Sequence, residues 1–319
     1  DAERDSLSKL FLLLGNLLLC YVFIETVAEK LFIVLLDILG FNISYSFFSG
    51  AIYGGKSEIL FAEVVVSIVK YFIPIAIMHR VFKMPNKVRY PMRKIKPYEF
   101  FYALSTGMII SVISSISRAY SDKSREVYDY FNNAAVDLSF FGDYELVVYL
   151  FFDILVVSIM NELMFRGEAF HVLRQYGDFF AVVVTSVFST LVICNFKLMP
   201  ACFLISFVSG VLLLRSGNIF ISIFMHILNK LYLLGLLLIE TNSSAAMFLT
   251  RSFYMSVVFA LGVIIILIIA TKHKSETVLM KNLHTHLNAK EKTKTIFHSL
   301  SLVGVIIACV FASIWNVII

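Results

Sequence analysis

The sequence predicts an all-α polytopic membrane protein with about 8–10 transmembrane helices. Composition is the first reason: 59% of the 319 residues are hydrophobic, only 15% are charged, and the mean hydropathy is +0.86. These values lie well outside the range of soluble globular proteins. The second reason is a series of apolar stretches, each long enough to cross roughly 30 Å of hydrocarbon as a helix. They begin near Leu10, Leu31, Ile59, Phe100, Leu146, Phe179, Met199, Ile219, Phe253 and Ile296.

The first two stretches need separate interpretations. The first, 10–27, precedes further spans and has no convincing small-residue cleavage site, so we expect a retained helix rather than a removed signal peptide. The second, 31–47, is interrupted by Asp37 and Gly40, and it either crosses the membrane or re-enters it.

Basic residues concentrate in two connections, 79–98 and 272–294. The first contains Arg80, Lys83, Lys87, Arg89, Arg93, Lys94 and Lys96, and the second contains Lys272, Lys274, Lys281, Lys290, Lys292 and Lys294. The positive-inside rule predicts that both connections are cytoplasmic, and an even number of candidate spans separates them. Counting back, the N-terminus lies outside if 31–47 crosses and inside if it re-enters. No nucleic-acid-binding module accompanies these loops, so the lipid bilayer with its anionic headgroups is the expected contact.

No repeat, Pro-rich linker or soluble segment divides the chain, and we interpret residues 1–319 as a single membrane domain. Within it, 1–98 provides N-terminal helices and the first basic loop. A polar core follows at 146–238. The segment 253–319 provides C-terminal helices and the second basic loop, 272–294.

The cysteines give no sign of a metal site or a disulfide framework. They are Cys20, Cys194, Cys202 and Cys309, which are scattered through apolar segments without a Cys-x-x-Cys unit. We interpret them as four small buried apolar residues.

The polar core opens with Asn161-Glu-Leu-Met-Phe-Arg-Gly167, which places charges at the end of an apolar run. Ionised groups at such a position are costly unless they are paired or hydrated. Glu162 and Arg166 stand four residues apart, so they share one helix face. Three more polar features follow along the chain. They are Leu191-Val-Ile-Cys-Asn195, Phe207-Val-Ser-Gly210, and Arg215-Ser-Gly-Asn218 with His226-Ile-Leu-Asn-Lys230.

Together these features resemble the CAAX protease and bacteriocin-processing family of intramembrane endopeptidases, also called the Abi or type II CAAX prenyl endopeptidase family. That family carries Glu-Glu-x-x-x-Arg, often continued as Phe-Arg-Gly, then Phe-x-x-x-His, a Gly-rich helix, Ser/Thr-Gly-Asn and His-x-x-x-Asn. The resemblance implies a helix-bundle fold. It also implies that Glu162, Arg166 and His226 are the catalytic residues of an active member.

Three departures from the family pattern indicate a degenerate site. Asn161 replaces the first Glu, and an amide cannot accept a proton from water. Asn195 takes the place of the second-motif His. Lys230 takes the place of the fourth-motif Asn, while Asn229, one residue earlier, is rotated by about 100° on a helix. We expect these four residues to border a polar cavity in which Lys230 pairs with Glu162.

The leading hypothesis is therefore a pseudoprotease: a non-catalytic partner, regulator or immunity protein that binds a membrane or cell-envelope protein or peptide, with no cofactor. In that case Glu162, Arg166 and His226 form a buried polar network that keeps helices in register. The alternative is an active intramembrane metallo- or glutamic endopeptidase, in which Glu162 and His226 would serve water or a divalent metal such as zinc. Zinc hydrolases usually use three protein ligands. A transporter that uses the same intramembrane charges is a further alternative.

Overall fold

The computed structural model describes residues 2–46, 51–119, 143–196, 198–242, 247–272 and 285–318. These residues are predominantly helical, which confirms the all-α prediction. The N-terminal helices are α1 (Ala2–Phe23), α2 (Glu29–Ile38), α3 (Lys56–Val81), α4 (Asn86–Arg89) and α5 (Pro97–Ala119). The central helices are α6 (Asp143–Phe151), α7 (Ser158–Glu162), α8 (Phe170–Leu173), α9 (Asp178–Leu191), α10 (Met199–Ser216) and α11 (Ile219–Asn242). The C-terminal helices are α12 (Met247–Lys272), α13 (Ala289–His298) and α14 (Leu300–Ile318).

The part of the chain that the structure describes has fewer spans than the 8–10 predicted for the whole sequence. Among the described residues, six helices are long and apolar enough to cross a membrane, or up to seven if α13 and α14, bent by 72°, count as one span. The stretches beginning near Leu10 and Leu31 form one continuous helix, because a π turn rather than a break joins α1 to α2 at Ile24–Ala28. The stretch beginning near Phe179 forms α9, which has only 14 residues. The helix α5 is not among the six.

The described part of the 31–47 stretch therefore continues the first helix as far as Ile38 and belongs to the same candidate span. The first helix ends at Ile38, and Gly40, whose φ of 86° is left-handed, lies two residues beyond its end. The Gly40 N–H donates to the Asp37 carbonyl at 2.9 Å and the Phe41 N–H donates to the Leu36 carbonyl at 3.1 Å, which terminates the helix as a Schellman motif does. An antiparallel hairpin follows, formed by β1 (Ile43–Tyr45) and β2 (Ile52–Gly54).

Several contacts bring the N-terminus and the end of the second basic loop together at one end of the bundle. The Tyr176 hydroxyl lies 3.1 Å from the Ser6 hydroxyl. The Lys292 ammonium donates to the Tyr176 carbonyl, and the His286 N–H donates to Glu3 at 3.0 Å. The start of α1, the α8–α9 turn and α13 therefore meet there. Residues 273–284, which are most of the second basic loop, and residues 120–142 lie outside the described residues.

The largest apolar core joins the first and last helices to the centre of the chain. Phe11 of α1 packs edge to face against Phe180 and Phe188 of α9, with ring centroids 6.2 and 6.4 Å apart. Val305 of α14 is fully buried in the same cluster. By contrast, α12 leaves large apolar side chains exposed, such as Phe253 at 70%. Such a surface suits contact with lipid.

Candidate functional site

The site lies on a helix that is interrupted twice by π turns. The short helix α7, Ser158–Glu162, stands between a π segment at Phe152–Val157 and another at Leu163–Ala169. A π turn adds a residue to the helical repeat and re-aims the side chains beside it, and such turns occur frequently at functional sites. Glu162 ends α7, and Arg166 lies in the second π segment.

Glu162 is fully buried, and protein groups contact both of its carboxylate oxygens. Oε1 lies 2.9 Å from Nε2 of His226 on α11. This is an ion-pair distance, although the angles do not satisfy hydrogen-bond geometry. Oε2 accepts a hydrogen bond of 3.2 Å from the Ser209 hydroxyl on α10 and lies 3.9 Å from Nε of Arg166. The Ser209 hydroxyl also lies 2.5 Å from that of Ser222 on α11.

Arg166 is fully buried too, and it connects two further helices. Its guanidinium donates to the hydroxyls of Thr185 and Ser186 on α9, at 2.5 and 3.2 Å. It also donates to the carbonyl of Ser206 on α10 and, at 2.6 Å, to the hydroxyl of the same residue. The planar fork of a guanidinium can hold several acceptors at fixed directions. Arg166 therefore fastens its own helix to α9 and α10, and hydroxyl groups on α9 are its partners.

The structure thus brings Glu162, Arg166 and His226 together, but the expected pairing of Lys230 with Glu162 is wrong. The Lys230 ammonium donates to Oδ1 of Asp153 at 2.7 Å and to the Asp153 carbonyl at 2.8 Å. Lys230 lies one helical turn beyond His226, and Asp153 lies in the first π segment, nine residues before Glu162. Lys230 and Asp153 therefore meet farther along the two helices than Glu162 and His226.

The three asparagines have separate surroundings. Asn161 is half-buried beside Glu162. Asn195 lies beyond the end of α9, in the connection to α10, where its Oδ1 accepts from the Leu198 N–H at 3.4 Å. Asn229 has a buried Oδ1 without a hydrogen-bond partner among the described residues.

The Ser-Gly-Asn motif ties the first basic loop to the bundle. Gly217, with a φ of 60°, ends α10, and its carbonyl accepts from the Arg93 N–H at 3.1 Å. The Asn218 side chain donates to the Arg93 carbonyl at 2.7 Å and accepts from the Phe220 N–H at 2.8 Å, which caps the start of α11. The Ile219 N–H donates to the Pro91 carbonyl at 2.9 Å. In this chain the motif therefore has a structural role that is visible in its contacts.

A second buried carboxylate, Glu168, was not predicted from the sequence. It is fully buried and accepts from the Tyr90 hydroxyl at 2.7 Å. Its other oxygen lies 3.2 Å from Nε of Arg89, which is itself 1% exposed, and Nδ1 of His79 lies 3.2 Å from the first oxygen. Burial and the hydrogen bond to Glu168 raise the pKa of Tyr90, so the phenol stays neutral. The signal available in the sequence was the place of Glu168 directly after Arg166-Gly167.

Gly167 leaves room for the ring of Tyr90. A Cβ at this position would lie 2.4 Å from Cε1 of Tyr90. We therefore expect Gly167→Ala to lower the free energy of unfolding by about 1–3 kcal/mol through overpacking. Thermal unfolding in detergent would measure the loss. Gly304→Ala is the matched control, because its Cβ would meet Leu19 at an ordinary 3.5 Å; equal midpoints for the two variants would contradict the prediction.

The residues of the site do not fit a zinc ion. Among the described residues, no group of three His, Cys, Asp or Glu side chains is arranged to hold a metal. Glu162 and His226 provide two ligand types, one fewer than the three protein ligands that zinc hydrolases usually use.

Comparison with known proteins supports the resemblance seen in the motifs. Residues 143–232 match the sequence model of the family described as type II CAAX prenyl endopeptidase Rce1-like. Neither the curated proteins nor the solved structures include a significant match to the chain. The matched segment is less than a third of the chain, but it contains Glu162, Arg166, Ser209 and His226. The helices that build this site therefore lie in a segment of an all-α membrane protein that is similar to the Rce1-like, type II CAAX prenyl endopeptidase family, and residues 143–232 are called the Rce1-like domain below.

Proposed function

We propose that this protein uses the Rce1-like domain without catalysis, as a partner or regulator that binds another membrane or cell-envelope protein or a peptide. The observation that carries the proposal is the environment of Glu162. A general base must reach the water that it deprotonates. The Glu162 side chain is 1% exposed, and His226, Ser209 and Arg166 surround its two oxygens.

The charges around the site support the same proposal. Arg166 compensates the buried charge of Glu162, and Asp153 compensates the partly exposed charge of Lys230. Asn161, the neighbour that takes the place of the family's first Glu, has an amide that cannot accept a proton. Glu162 and Arg166 between them contact α9, α10 and α11. Such a hydrogen-bonded network is suited to keeping these helices in fixed positions, as a rigid binding scaffold requires.

A direct assay of proteolysis tests the proposal. The protein in lipid nanodiscs is incubated with a farnesylated peptide ending in a CAAX sequence and, separately, with a mixture of unmodified peptides. We expect cleavage by the wild type to equal that by Glu162→Gln and by empty nanodiscs, as mass spectrometry of the peptides would show. Cleavage by the wild type that disappears in Glu162→Gln would overturn the proposal.

The second candidate function is an active endopeptidase, which one observation favours. Nε2 of His226 lies 2.9 Å from Oε1 of Glu162, and two π turns flank the carboxylate. A carboxylate and an imidazole at this distance are suitable for general acid–base catalysis once water enters between them. This candidate predicts that Glu162→Gln and His226→Gln each reduce cleavage by about 10²-fold or more. The nanodisc assay distinguishes the two functions.

A binding role also has its own test. Photo-crosslinking in native membranes should give the same crosslinked partner for the wild type and for the Glu162→Gln, His226→Gln double variant. The control is the thermal midpoint of the double variant, which shows that the chain is folded. A partner that the wild type cleaves and the folded double variant leaves intact would contradict the non-catalytic role.

A further inference from the structure

Two cysteines that are distant in the sequence lie side by side in the structure. Cys194 belongs to the connection between α9 and α10, and Cys309 lies in the middle of α14. Both are free thiols, and their Sγ atoms are 3.1 Å apart. Both thiols also lie close to the Leu191 carbonyl, at 3.5 Å for Cys194 and 2.9 Å for Cys309. The interpretation of the cysteines as four separate apolar residues is therefore incomplete for this pair.

The backbone at Cys194 is unusual in a way that concerns the same pair. Its φ is 51°, and among the described residues it alone has a positive φ without being glycine. This left-handed conformation is uncommon for residues other than Gly, Asn and Asp, and it stores strain. The conformation occurs in the turn that follows Leu191, where the Cys194 N–H donates to the Leu191 carbonyl at 3.0 Å. The turn places the Cys194 thiol against α14.

We propose that Cys194 and Cys309 are a site of disulfide formation that links α14 covalently to the Rce1-like domain. A disulfide has an S–S length of about 2.05 Å, so the two sulfurs must approach by roughly 1 Å from their present 3.1 Å. A movement of this size is within reach of side-chain rotation and of relaxation in the strained turn.

The chemistry requires a disulfide oxidant, and a small-molecule disulfide is sufficient. Cys194 is the more exposed thiol of the pair, at 6% against 1% for Cys309. The Cys194 thiolate attacks the oxidant, which breaks the oxidant's S–S bond, forms a mixed disulfide and releases one thiol. The Cys309 thiolate then attacks the Cys194 sulfur and releases the second thiol. The protein gives up two protons and two electrons, and the oxidant is reduced to two thiols.

The link would add a covalent bond between two parts of the chain that otherwise meet through noncovalent contacts. The helix α14 lies outside the matched residues 143–232 and packs chiefly on α1, where Ser301 donates to the Leu12 carbonyl at 3.0 Å. A bond between residues 194 and 309 closes a long loop, and cross-links of long loops restrict the unfolded chain most. Oxidation should therefore raise the resistance of the protein to unfolding.

The experiment uses the full chain in nanodiscs and 4,4′-dithiodipyridine, a small apolar disulfide. After the reaction, we expect non-reducing peptide mass spectrometry to find a peptide that contains Cys194 bonded to Cys309, without a pyridine adduct and lighter by two hydrogen atoms. If the protein is then treated with a reductant, the link should disappear. Separate adducts on Cys194 and Cys309, or two thiols that remain free, would overturn the inference.

Two variants make the outcome specific. In Cys309→Ser, Cys194 should retain a pyridine adduct, because no second thiol displaces it; this result also shows that the reagent reaches the site. In the Cys20→Ser, Cys202→Ser double variant, the link should form as in the wild type. A link that vanishes in this double variant contradicts the pairing. The thermal midpoint of the wild type should rise on oxidation and fall again with reductant, whereas that of Cys309→Ser should not rise.

Discussion

Replacing Glu168 with Ala should lower the free energy of unfolding by about 3–5 kcal/mol, the usual cost of leaving one member of a buried ion pair alone. Arg89 is 1% exposed and its Nε faces the Glu168 carboxylate at 3.2 Å. Without Glu168 the guanidinium stays buried beside His79, and the Tyr90 hydroxyl loses its acceptor. Denaturant unfolding of the protein in detergent micelles would measure the loss.

A double substitution separates the ion pair from simple packing. Glu168→Met combined with Arg89→Met removes both charges and keeps much of the volume. We expect this double variant to be more stable than either single variant, because no unpaired charge remains in the interior. If the losses of the two single variants simply add, the coupling between Glu168 and Arg89 is refuted.

Glu162 and Glu168 differ in how much of their surroundings could be predicted from the sequence. Glu162 and Arg166 follow the four-residue spacing that places two side chains on one helix face, and the family motif marks the same residues. The partners of Glu168 lie at Arg89 and Tyr90, nearly 80 residues earlier in the chain. In the sequence those residues are visible only as part of a basic loop. Residue spacing predicts contacts within one helix. The Glu168–Arg89 ion pair depends instead on where the loop that contains Arg89 folds against the helix that contains Glu168.

Lys230 illustrates a different limit. Its charge and its place in the fourth motif pointed to Glu162, but Asp153 is its partner. The choice between the two acids depends on the register of α11 against a helix that contains two π turns. Each π turn changes the rotation of the residues around it, and hydropathy patterns do not reveal such turns.

For the membrane spans, too, the composition predicted the class of structure but not the geometry of the individual helices. Apolar composition identified an α-helical membrane protein, because hydrocarbon excludes unpaired backbone groups. It did not reveal that residues 2–38 form one helix with a π turn, or that α9 stops after 14 residues at Leu191. Whether a helix continues or ends depends on local backbone hydrogen bonds. The mean hydropathy of a stretch carries no information about those bonds.

Replacing Arg166 with Met should be as costly as the loss of Glu168, again about 3–5 kcal/mol. The substitution leaves Glu162 buried without its guanidinium and frees the hydroxyls of Thr185 and Ser186 and the carbonyl of Ser206 from their donor. Arg166→Lys should restore only part of the stability, because an ammonium lacks the planar fork that holds α9 and α10 together.

Arg174→Met is the matched control for Arg166→Met. Arg174 also pairs with an acid four residues away, Asp178, at 2.8 Å, but its side chain is 41% exposed. Solvent weakens such a pair, so we expect a loss of less than about 1 kcal/mol. Unfolding midpoints of both variants in the same detergent provide the comparison. Similar losses of stability at the two sites would mean that burial does not determine the effect and that Arg166 does not hold the helices together. A large loss at Arg166 alone means that its guanidinium holds the helices of the Rce1-like domain in register.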